Sequence, residues 1–174
     1  MNEAMKNLLT RRSVRAYADE AIPEEVLDAV LEAGVYAASG RNLQPVTLVA
    51  VRDKETRDQL SRMNAVVMGR EGTDPFYGAP VVVVVLADRS LSGLIVEDGA
   101  LAMGNLMNAA HAKGLGSCWI HRAREEFESE EGRALLKKWG LSGDMVGIGH
   151  CILGYAAGEL PEARERRAGR IIKI

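Results

Sequence analysis

The sequence VEDGALAMGNLMNAAHAK, from Val96 to Lys113, is the strongest helix signal in the chain. Alanine, leucine and methionine dominate it and apolar residues fall on nearly every face, which predicts a central, buried helix. Gly114 and Gly116 follow directly and would end it. Polar residues inside this helix need hydrogen-bonding partners, and there are several: Glu97, Asp98, Asn105 and Asn108.

A buried strand is predicted upstream of this helix, at APVVVVVLA from Ala79 to Ala87. The run is rich in β-branched valine and far shorter than the roughly 20 residues of a membrane helix. Further strands are predicted at Val46 to Val51, Ser117 to Ile120 and Val146 to Tyr155. Helices and strands alternate, but some connections are too short for the crossovers that parallel strands need.

The remaining segments are predicted to be helices, connections and an arm. Met1 to Thr10 has a weak helical pattern and runs into a turn or short extended piece, Arg11 to Ala18. Pro23 marks the start of a helix that ends near Ser39-Gly40. The other assignments are a helix at Asp53 to Met63, a variable connection at Asn64 to Tyr77, an amphipathic helix at Glu125 to Trp139, and an arm at Ala156 to Ile174. The end of this arm is a strand candidate that would pair elsewhere, for example on a partner subunit.

Composition limits the classes of function. The chain has 174 residues, 47% of them hydrophobic, which fits a single domain over residues 1–174. A formal net charge of -2 argues against nucleic acid or a membrane as partner. The N-terminus lacks the apolar core of a signal peptide, which predicts a cytoplasmic protein. Cys118, Cys151 and the scattered histidines lack metal-ligand or CxxC spacing, so we expect neither a metal site nor a disulfide framework.

A basic cluster follows the first helix. Arg11, Arg12 and Arg15 surround the hydroxyl of Ser13, and guanidinium forks with a hydroxyl donor are the chemistry that binds a phosphate monoester. A solvated basic turn is the alternative interpretation, and this cluster alone does not decide between the two.

A second polar cluster, Ala38 to Pro45, follows the first amphipathic helix. Its small residues would let the backbone approach a flat ligand, while Ser39, Asn42 and Gln44 supply donors and acceptors for a heterocycle edge or a ribityl chain. A helix end followed by a turn explains Gly40 and Pro45 without a ligand, but not Asn42 together with Gln44.

Four short motifs occur in a definite order along the chain. They are Arg11-Arg12-Ser13-Val14-Arg15-Ala16-Tyr17, Ala38-Ser39-Gly40-Arg41-Asn42-Leu43-Gln44-Pro45, Tyr77-Gly78-Ala79-Pro80 and Gly114-Leu115-Gly116-Ser117-Cys118-Trp119-Ile120. In this order they resemble the nitroreductase family of FMN-dependent NAD(P)H oxidoreductases, and the likeness extends over nearly the whole of this short chain. Four ordered motifs are far more specific than any one of them.

The resemblance implies an α+β fold with a central mixed or antiparallel sheet flanked by helices. It also implies an interlocked homodimer in which each subunit builds half of two FMN sites. The helix from Val96 to Lys113 would then be the dimer core, which matches its apolar faces. Val46 stands where the family often has an aromatic residue. The helical insertion that covers the flavin in longer members would be either absent or replaced by Met63 to Phe76.

The resemblance further implies which residues bind FMN. The phosphate and ribityl chain would lie against the basic cluster, namely Arg11, Arg12, Ser13 and Arg15, joined by one basic residue of the tail, for which Arg166 and Arg167 are the candidates. The other subunit would contribute Ala38, Ser39, Gly40, Asn42 and Gln44. The inner face of the isoalloxazine ring would contact Trp119, Ile120 and His121, with a backbone N–H near His121 donating toward flavin N5. No side chain is expected to be catalytic, because flavin N5 carries the chemistry.

The implied activity is a ping-pong transfer of two electrons from NADH or NADPH, through flavin N5, to a small acceptor such as a nitroaromatic or a quinone. A flavin-binding or storage protein without reductase activity shares every motif and remains an alternative. Another flavin reaction on the same fold, such as reductive dehalogenation or oxidation of a heterocycle, is a further one.

Overall fold

The structure is a computed structural model that describes all 174 residues. Its helices are α1 (Glu3–Thr10), α2 (Glu24–Val35), α3 (Lys54–Val67), α4 (Ile95–Ala112), α5 (Ala123–Glu128) and α6 (Glu130–Lys138), and its strands are β1 (Val46–Val51), β2 (Val81–Asp88), β3 (Gly116–Ile120) and β4 (Met145–Gly154). The predicted α+β class is confirmed, and the four strands lie close to their predicted bounds. None of the helices combines the length and apolar character that crossing a membrane requires.

The four strands form one antiparallel sheet in the order β1-β2-β4-β3. This arrangement explains the short connections, because antiparallel neighbours need no long crossover. The segment from Arg11 to Ala18 is extended, as predicted, and lies beside the outer edge of β3. There the N–H of Val14 donates to the carbonyl of Ser117 at 3.0 Å. β1, which follows the Ala38 to Pro45 cluster, and β3, which lies beside the basic cluster, therefore lie at opposite edges of the sheet.

Helices cover both faces of the sheet. On one face α2 and α4 pack against residues such as Val83, together with Met103 of α4. On the other face α3, α5 and α6 pack against residues such as Val84, together with Leu60 of α3. All four of these side chains are fully buried. The valine run is continuous rather than alternating because β2 is central and both of its faces are buried.

The predicted central helix is confirmed as α4, but one side of it is open in the single chain. Met103 and Leu106 are fully buried, whereas Val96 and Leu101 keep 48% and 51% of their surface exposed. The helix thus has one face in the core of its own chain and a second apolar face without cover.

The end predicted for α2, near Ser39-Gly40, is wrong, because the helix ends at Val35. Gly40 does not continue the helical hydrogen bonds; its N–H donates to the Asp98 carboxylate of α4 at 2.8 Å. This bond ties the chain to a helix far along the sequence, and a local pattern could not indicate it. Asp98 is buried and also accepts from Ser92, so its role exceeds the dipole compensation expected from its place in the first turn.

Two other predicted boundaries are wrong. The helix predicted to end at Met63 continues to Val67, so the first residues of the predicted Asn64 to Tyr77 connection are helical. The single helix predicted from Glu125 to Trp139 is two helices separated at Ser129, whose extended backbone interrupts the pattern. The Ser129 side chain accepts from the N–H of Gly132 at 3.0 Å and so begins α6.

Candidate functional site

A cavity of about 360 Å³ opens beside the end of β3. It brings together Arg15 from the basic cluster and the predicted ring-binding residues Trp119, Ile120 and His121. The rest of its wall comes from the α3–β2 connection and the residue after His121: Met68, Arg70, Thr73, Asp74, Pro75, Tyr77 and Arg122. A cavity with an aromatic and aliphatic floor and cations at its rim suits a flat ligand that carries negative charge.

The basic cluster leaves buried polar atoms without a partner. Nη1 of Arg11, Nε of Arg12 and Oγ of Ser117 are buried and make no hydrogen bond. Ser117 is adjacent because Ser13 forms a bridge with it along the edge of β3. Buried donors are normally satisfied, so three unsatisfied ones in neighbouring segments indicate a place for an acceptor-rich group such as a phosphate. Sequence reasoning did not single out Ser117.

The backbone of the basic cluster is held in place by Tyr17. Its hydroxyl donates to the carbonyl of Val14 at 2.8 Å. Burial raises the pKa of this phenol above its ordinary value, so Tyr17 is a neutral donor at any physiological pH. Because this bond anchors the backbone at Val14, it also fixes the backbone positions of the two neighbouring residues, Ser13 and Arg15.

The arginines of the cluster are not equivalent. Nη1 of Arg12 donates to the carbonyls of Leu9 and Arg11, at 2.9 and 2.7 Å, so part of this guanidinium closes the end of α1. His111 of α4 lies close by and its Nε2 is 2.9 Å from the hydroxyl of Thr10. Desolvation, followed by the positive charges of Arg11 and Arg12, lowers the pKa of His111 below its ordinary value.

The second predicted cluster forms its own loop before β1. The 3-10 turn Gly40–Asn42 is attached to α4 through Asp98, as described above. Inside the loop the hydroxyl of Ser39 accepts from the N–H of Gln44 at 3.0 Å, and the Gln44 amide donates to Asn42 at 3.0 Å. Ala38, Ser39 and Gln44 also line a cavity of about 240 Å³ beside α4.

Left-handed backbone is concentrated in these two regions. The non-glycine residues with positive φ are Arg41, Asn42, Gln44, Tyr77 and Arg122. The first three lie in the loop before β1, and the last two line the cavity beside β3. Such conformations cost about 1–3 kcal/mol each and cluster at functional sites, where surrounding contacts hold them. Their distribution supports both regions as parts of a binding site.

One chain does not bring the two regions together. The loop before β1 and the end of β3 lie at opposite edges of the sheet, three inter-strand steps apart. At about 4.8 Å a step this is about 14 Å across the sheet. Arg166 and Arg167 belong to a tail that is exposed throughout from Ala157, so they join neither region.

The wall of the cavity formed by the α3–β2 connection is held by Arg57. This buried guanidinium donates to Asp74 at 2.6 Å and to the carbonyl of Ala79 at 3.2 Å. Burial alone would raise the pKa of Asp74, but hydrogen bonds from Arg57, Ser61 and the backbone N–H groups of Gly78 and Phe76 lower it below its ordinary value. The carboxylate therefore fixes the turn that carries Tyr77.

A buried polar network that the sequence analysis missed lies behind the cavity. Asn64, Glu126 and His150 come from α3, α5 and β4, and all three side chains are buried. The Asn64 amide reaches the carbonyl of His121, which is at the floor of the cavity. A polar side chain inside an apolar strand, as in GIGHCIL around His150, is the sequence signal that could have located this network.

The cysteines are part of the core. Cys118 and Cys151 are both free and buried. Burial raises the pKa of the Cys151 thiol, which disfavours the reactive thiolate. Both residues thus act as small side chains of the core.

Comparisons with known proteins point to one family. The model of the nitroreductase family matches residues 8–155. A protein of Archaeoglobus fulgidus, provisionally named an NADH dehydrogenase/NAD(P)H nitroreductase, is 32% identical over 91% of this chain and 88% of its own. The FMN reductase [NAD(P)H] of Bacillus subtilis is 31% identical over 71% of this chain, which spans only 56% of that longer protein. A Bacteroides fragilis nitroreductase with bound FMN superposes with a TM-score of 0.91 at 31% identity, and each chain is covered completely.

Proposed function

Because this chain belongs to the nitroreductase family, we propose that it is an FMN-dependent oxidoreductase that takes two electrons from NADH or NADPH and passes them to a small acceptor such as a nitroaromatic or a quinone. The observation that carries the proposal is the cavity at the end of β3, which joins Arg15 to Trp119, Ile120 and His121. The segments that supply Arg15 and Trp119 also carry the buried, unpartnered donors of Arg11 and Ser117. An anchored phosphate and a flat ring fit this combination.

Arg11, Ser13 and Arg15 would hold the phosphate and ribityl part of FMN, with Arg12 beside them. The unsatisfied Nη1 of Arg11 supports this assignment, because a phosphate oxygen would satisfy it with a charge-assisted hydrogen bond. Nη1 of Arg12 already donates to carbonyls at the end of α1, so we assign Arg12 a smaller part in phosphate binding, made through Nε alone. Ser117 is an additional candidate donor through its buried hydroxyl.

The ring would lie against Trp119, Ile120 and His121. When bound, FMN supplies two-electron transfer through its N5 atom. This chain's part is to orient the ring, keep it against an apolar floor and aim a backbone N–H near His121 at N5. The cationic rim, which includes Arg70 and Arg122, would favour the negative charge of a reduced ring and of a nicotinamide dinucleotide.

A second copy of the chain would complete each site. Ala38, Ser39, Gly40, Asn42 and Gln44 lie about 14 Å across the sheet from the ring-binding residues. They would therefore reach a flavin held by the partner. The half-exposed apolar face of α4 supports a homodimer with this helix at its core.

The exposed tail supports the same arrangement. It leaves the body of the chain beside Ala16 and carries Arg166 and Arg167 outward, followed by exposed Ile171, Ile172 and Ile174. An apolar end without cover fits an arm that crosses to a partner, which would bring the tail arginines to a phosphate. A cytoplasmic location is part of the proposal, since both cysteines are free thiols, as is usual where thiols are kept reduced.

The proposal is tested by the visible absorption spectrum of the purified protein, by identification of the released cofactor and by anaerobic addition of NADH or NADPH. Bound FMN that bleaches rapidly, with steady-state turnover of a nitroaromatic or a quinone, is the expected result. A colourless protein that cannot be loaded with FMN would overturn it. Bound FMN with negligible turnover would instead identify a flavin-binding protein without reductase activity.

A further inference from the structure

The turn after β3 is held from behind by a buried amide. Nδ2 of Asn64 donates to the carbonyl of His121 at 2.8 Å and also to the carboxylate of Glu126. Oδ1 of Asn64 accepts from Nε of Arg122 at 3.0 Å. One fully buried side chain of α3 thus bonds to two consecutive residues of the turn and to α5.

The chemistry of these partners fixes the Asn64 amide in one orientation. A guanidinium can only donate, whereas a carbonyl and a carboxylate can only accept. Turning the amide over would place its N–H groups against Arg122 and its oxygen against His121 and Glu126. The network therefore specifies a single arrangement of the turn rather than a choice of two.

His150 supports Glu126 from the centre of the sheet. Its Nε2 lies 3.0 and 3.1 Å from the two carboxylate oxygens of Glu126. Its Nδ1 is buried without a partner, and the rings of Phe76 and Phe127 pack against it. A proton on Nε2 and none on Nδ1 leaves no donor unsatisfied, so this tautomer fits the site.

The turn itself needs this support. Arg122 has φ of 80°, a left-handed conformation that is costly for a residue with a side chain. Its carbonyl accepts the first hydrogen bond of α5, from the N–H of Glu126 at 3.1 Å. Without the contacts of Asn64, the backbone at His121 and Arg122 would be free to relax to a less strained conformation.

We propose that Asn64, itself held by Glu126 and His150, is a positioning residue that fixes the backbone of His121 and Arg122 for the bound ring. Its effect on flavin chemistry rests on the proposed function; its effect on the turn does not. The backbone N–H near His121 would keep its aim at N5 only while Asn64 holds the adjacent carbonyl. Removing the amide should thus change the absorption and the reduction rate of the flavin without removing any group that touches it.

The test compares Asn64→Leu with Leu60→Ala, a control one turn earlier in the same helix that removes buried apolar contacts but none of the hydrogen bonds to the turn. In the apo proteins, hydrogen exchange of the peptide covering residues 119–124 should be about tenfold faster in Asn64→Leu, as expected for the loss of about one hydrogen bond. Leu60→Ala should lower the melting temperature but leave exchange in this peptide unchanged. Asn64→Asp, which keeps the size and loses both donors, replaces the leucine variant if that one does not fold.

In the FMN-loaded proteins, Asn64→Leu should shift the flavin absorption bands and slow bleaching by saturating NADH or NADPH about tenfold. Leu60→Ala should do neither. Unchanged exchange at residues 119–124 in both Asn64 variants would overturn the positioning role, and faster exchange with an unchanged spectrum and bleaching rate would overturn its link to the flavin. Failure of the wild-type protein to bind FMN would defeat the proposed function, and the exchange measurement would still decide whether Asn64 holds the turn.

Discussion

At the scale of single residues, the basic cluster combines structural and binding roles. Arg12 closes α1 through Nη1, whereas Nη1 of Arg11 is buried and unpartnered. Arg11→Ala should therefore weaken FMN binding strongly. A charge-assisted hydrogen bond contributes about 1.5–3 kcal/mol, which corresponds to about a 10- to 100-fold increase in Kd.

Flavin stoichiometry after gel filtration, together with fluorescence titration of the apo protein, measures this effect. Arg62→Ala is the matched control, since it removes an arginine of exposed α3 surface and the same charge. Stoichiometric flavin retained by Arg11→Ala would show that the phosphate is bound elsewhere.

His111 offers an independent reporter of the phosphate. In the free protein its pKa is lowered by desolvation and by the charges of Arg11 and Arg12. A bound phosphate would offset those charges, so binding of FMN should raise the pKa of His111 toward its ordinary value. NMR titration of the His111 ring measures it, and riboflavin, which lacks the phosphate, is the control ligand. The same rise with riboflavin would contradict a phosphate beside Arg11.

Residue types in short motifs were predictable because backbone geometry and ligand chemistry restrict them locally. Arg15, Trp119, Ile120 and His121, predicted from motifs far apart in sequence, line one cavity. Asn64 and Glu126 were not predictable, because an Asn at the start of a predicted connection and a Glu in a predicted amphipathic helix ordinarily face solvent. Only the tertiary fold brings them to His150.

At the scale of elements, the α3–β2 connection depends on one carboxylate. Asp74 joins Arg57 and Ser61 of α3 to the turn before β2. Asp74→Asn should lower the melting temperature at pH 7 by about 3 °C or more, since about 1 kcal/mol corresponds to roughly that shift at this size. The change should also loosen the cavity wall that carries Tyr77.

The pH dependence of this effect has a definite sign. Because the folded pKa of Asp74 lies below the ordinary value of 3.8, its contribution is present in full above that value and is lost as the pH falls through the folded pKa. The difference in melting temperature between wild type and Asp74→Asn should be constant near neutral pH and shrink below about pH 4. Glu71→Gln, an exposed acid in the same connection, should show no difference. A difference that grows on acidification would refute the assignment.

Elements were predictable where periodicity and propensity act locally, as for β1 and α4. Their ends were mispredicted where contacts outside the local pattern determine them. α2 ends at Val35, and the chain beyond it is tied to α4 by the bond from the N–H of Gly40 to Asp98. The long helix predicted after β3 divides because Ser129 begins a new one. Close packing reinforces that division: a side chain on Gly132 would come within 2.1 Å of the carbonyl of Glu126.

At the scale of the whole molecule, we propose that residues 1–174 act as one folding unit whose function requires two copies. The helices of both layers pack on the same sheet, and the two halves of the candidate site lie at its opposite edges. The apolar character of α4 on both sides was readable from sequence. The sequence did not indicate which face of α4 is covered within the chain, because that depends on how α2 and the sheet pack against the helix.

Leu101 tests the requirement for two copies. It lies on the outer face of α4 and keeps 51% of its surface exposed in the single chain. In Leu101→Glu, a carboxylate would be buried between two subunits at a cost of several kcal/mol, so dimerisation should weaken at least about 100-fold. The protomer should still fold, since the side chain is not part of its core. FMN binding should fall in parallel, because each ring would lose Asn42 and Gln44 of the partner.

Sedimentation equilibrium at micromolar concentration, with flavin absorbance recorded on the same sample, measures both quantities. Val66→Glu is the matched control: Val66 is 58% exposed on α3, at the opposite face of the sheet, and the same substitution there should leave assembly and flavin unchanged. A wild-type protein that sediments as a flavin-loaded monomer would contradict the shared site. A dimer that survives Leu101→Glu would instead show that the interface does not include α4. The apolar outer face of this helix would then need another explanation.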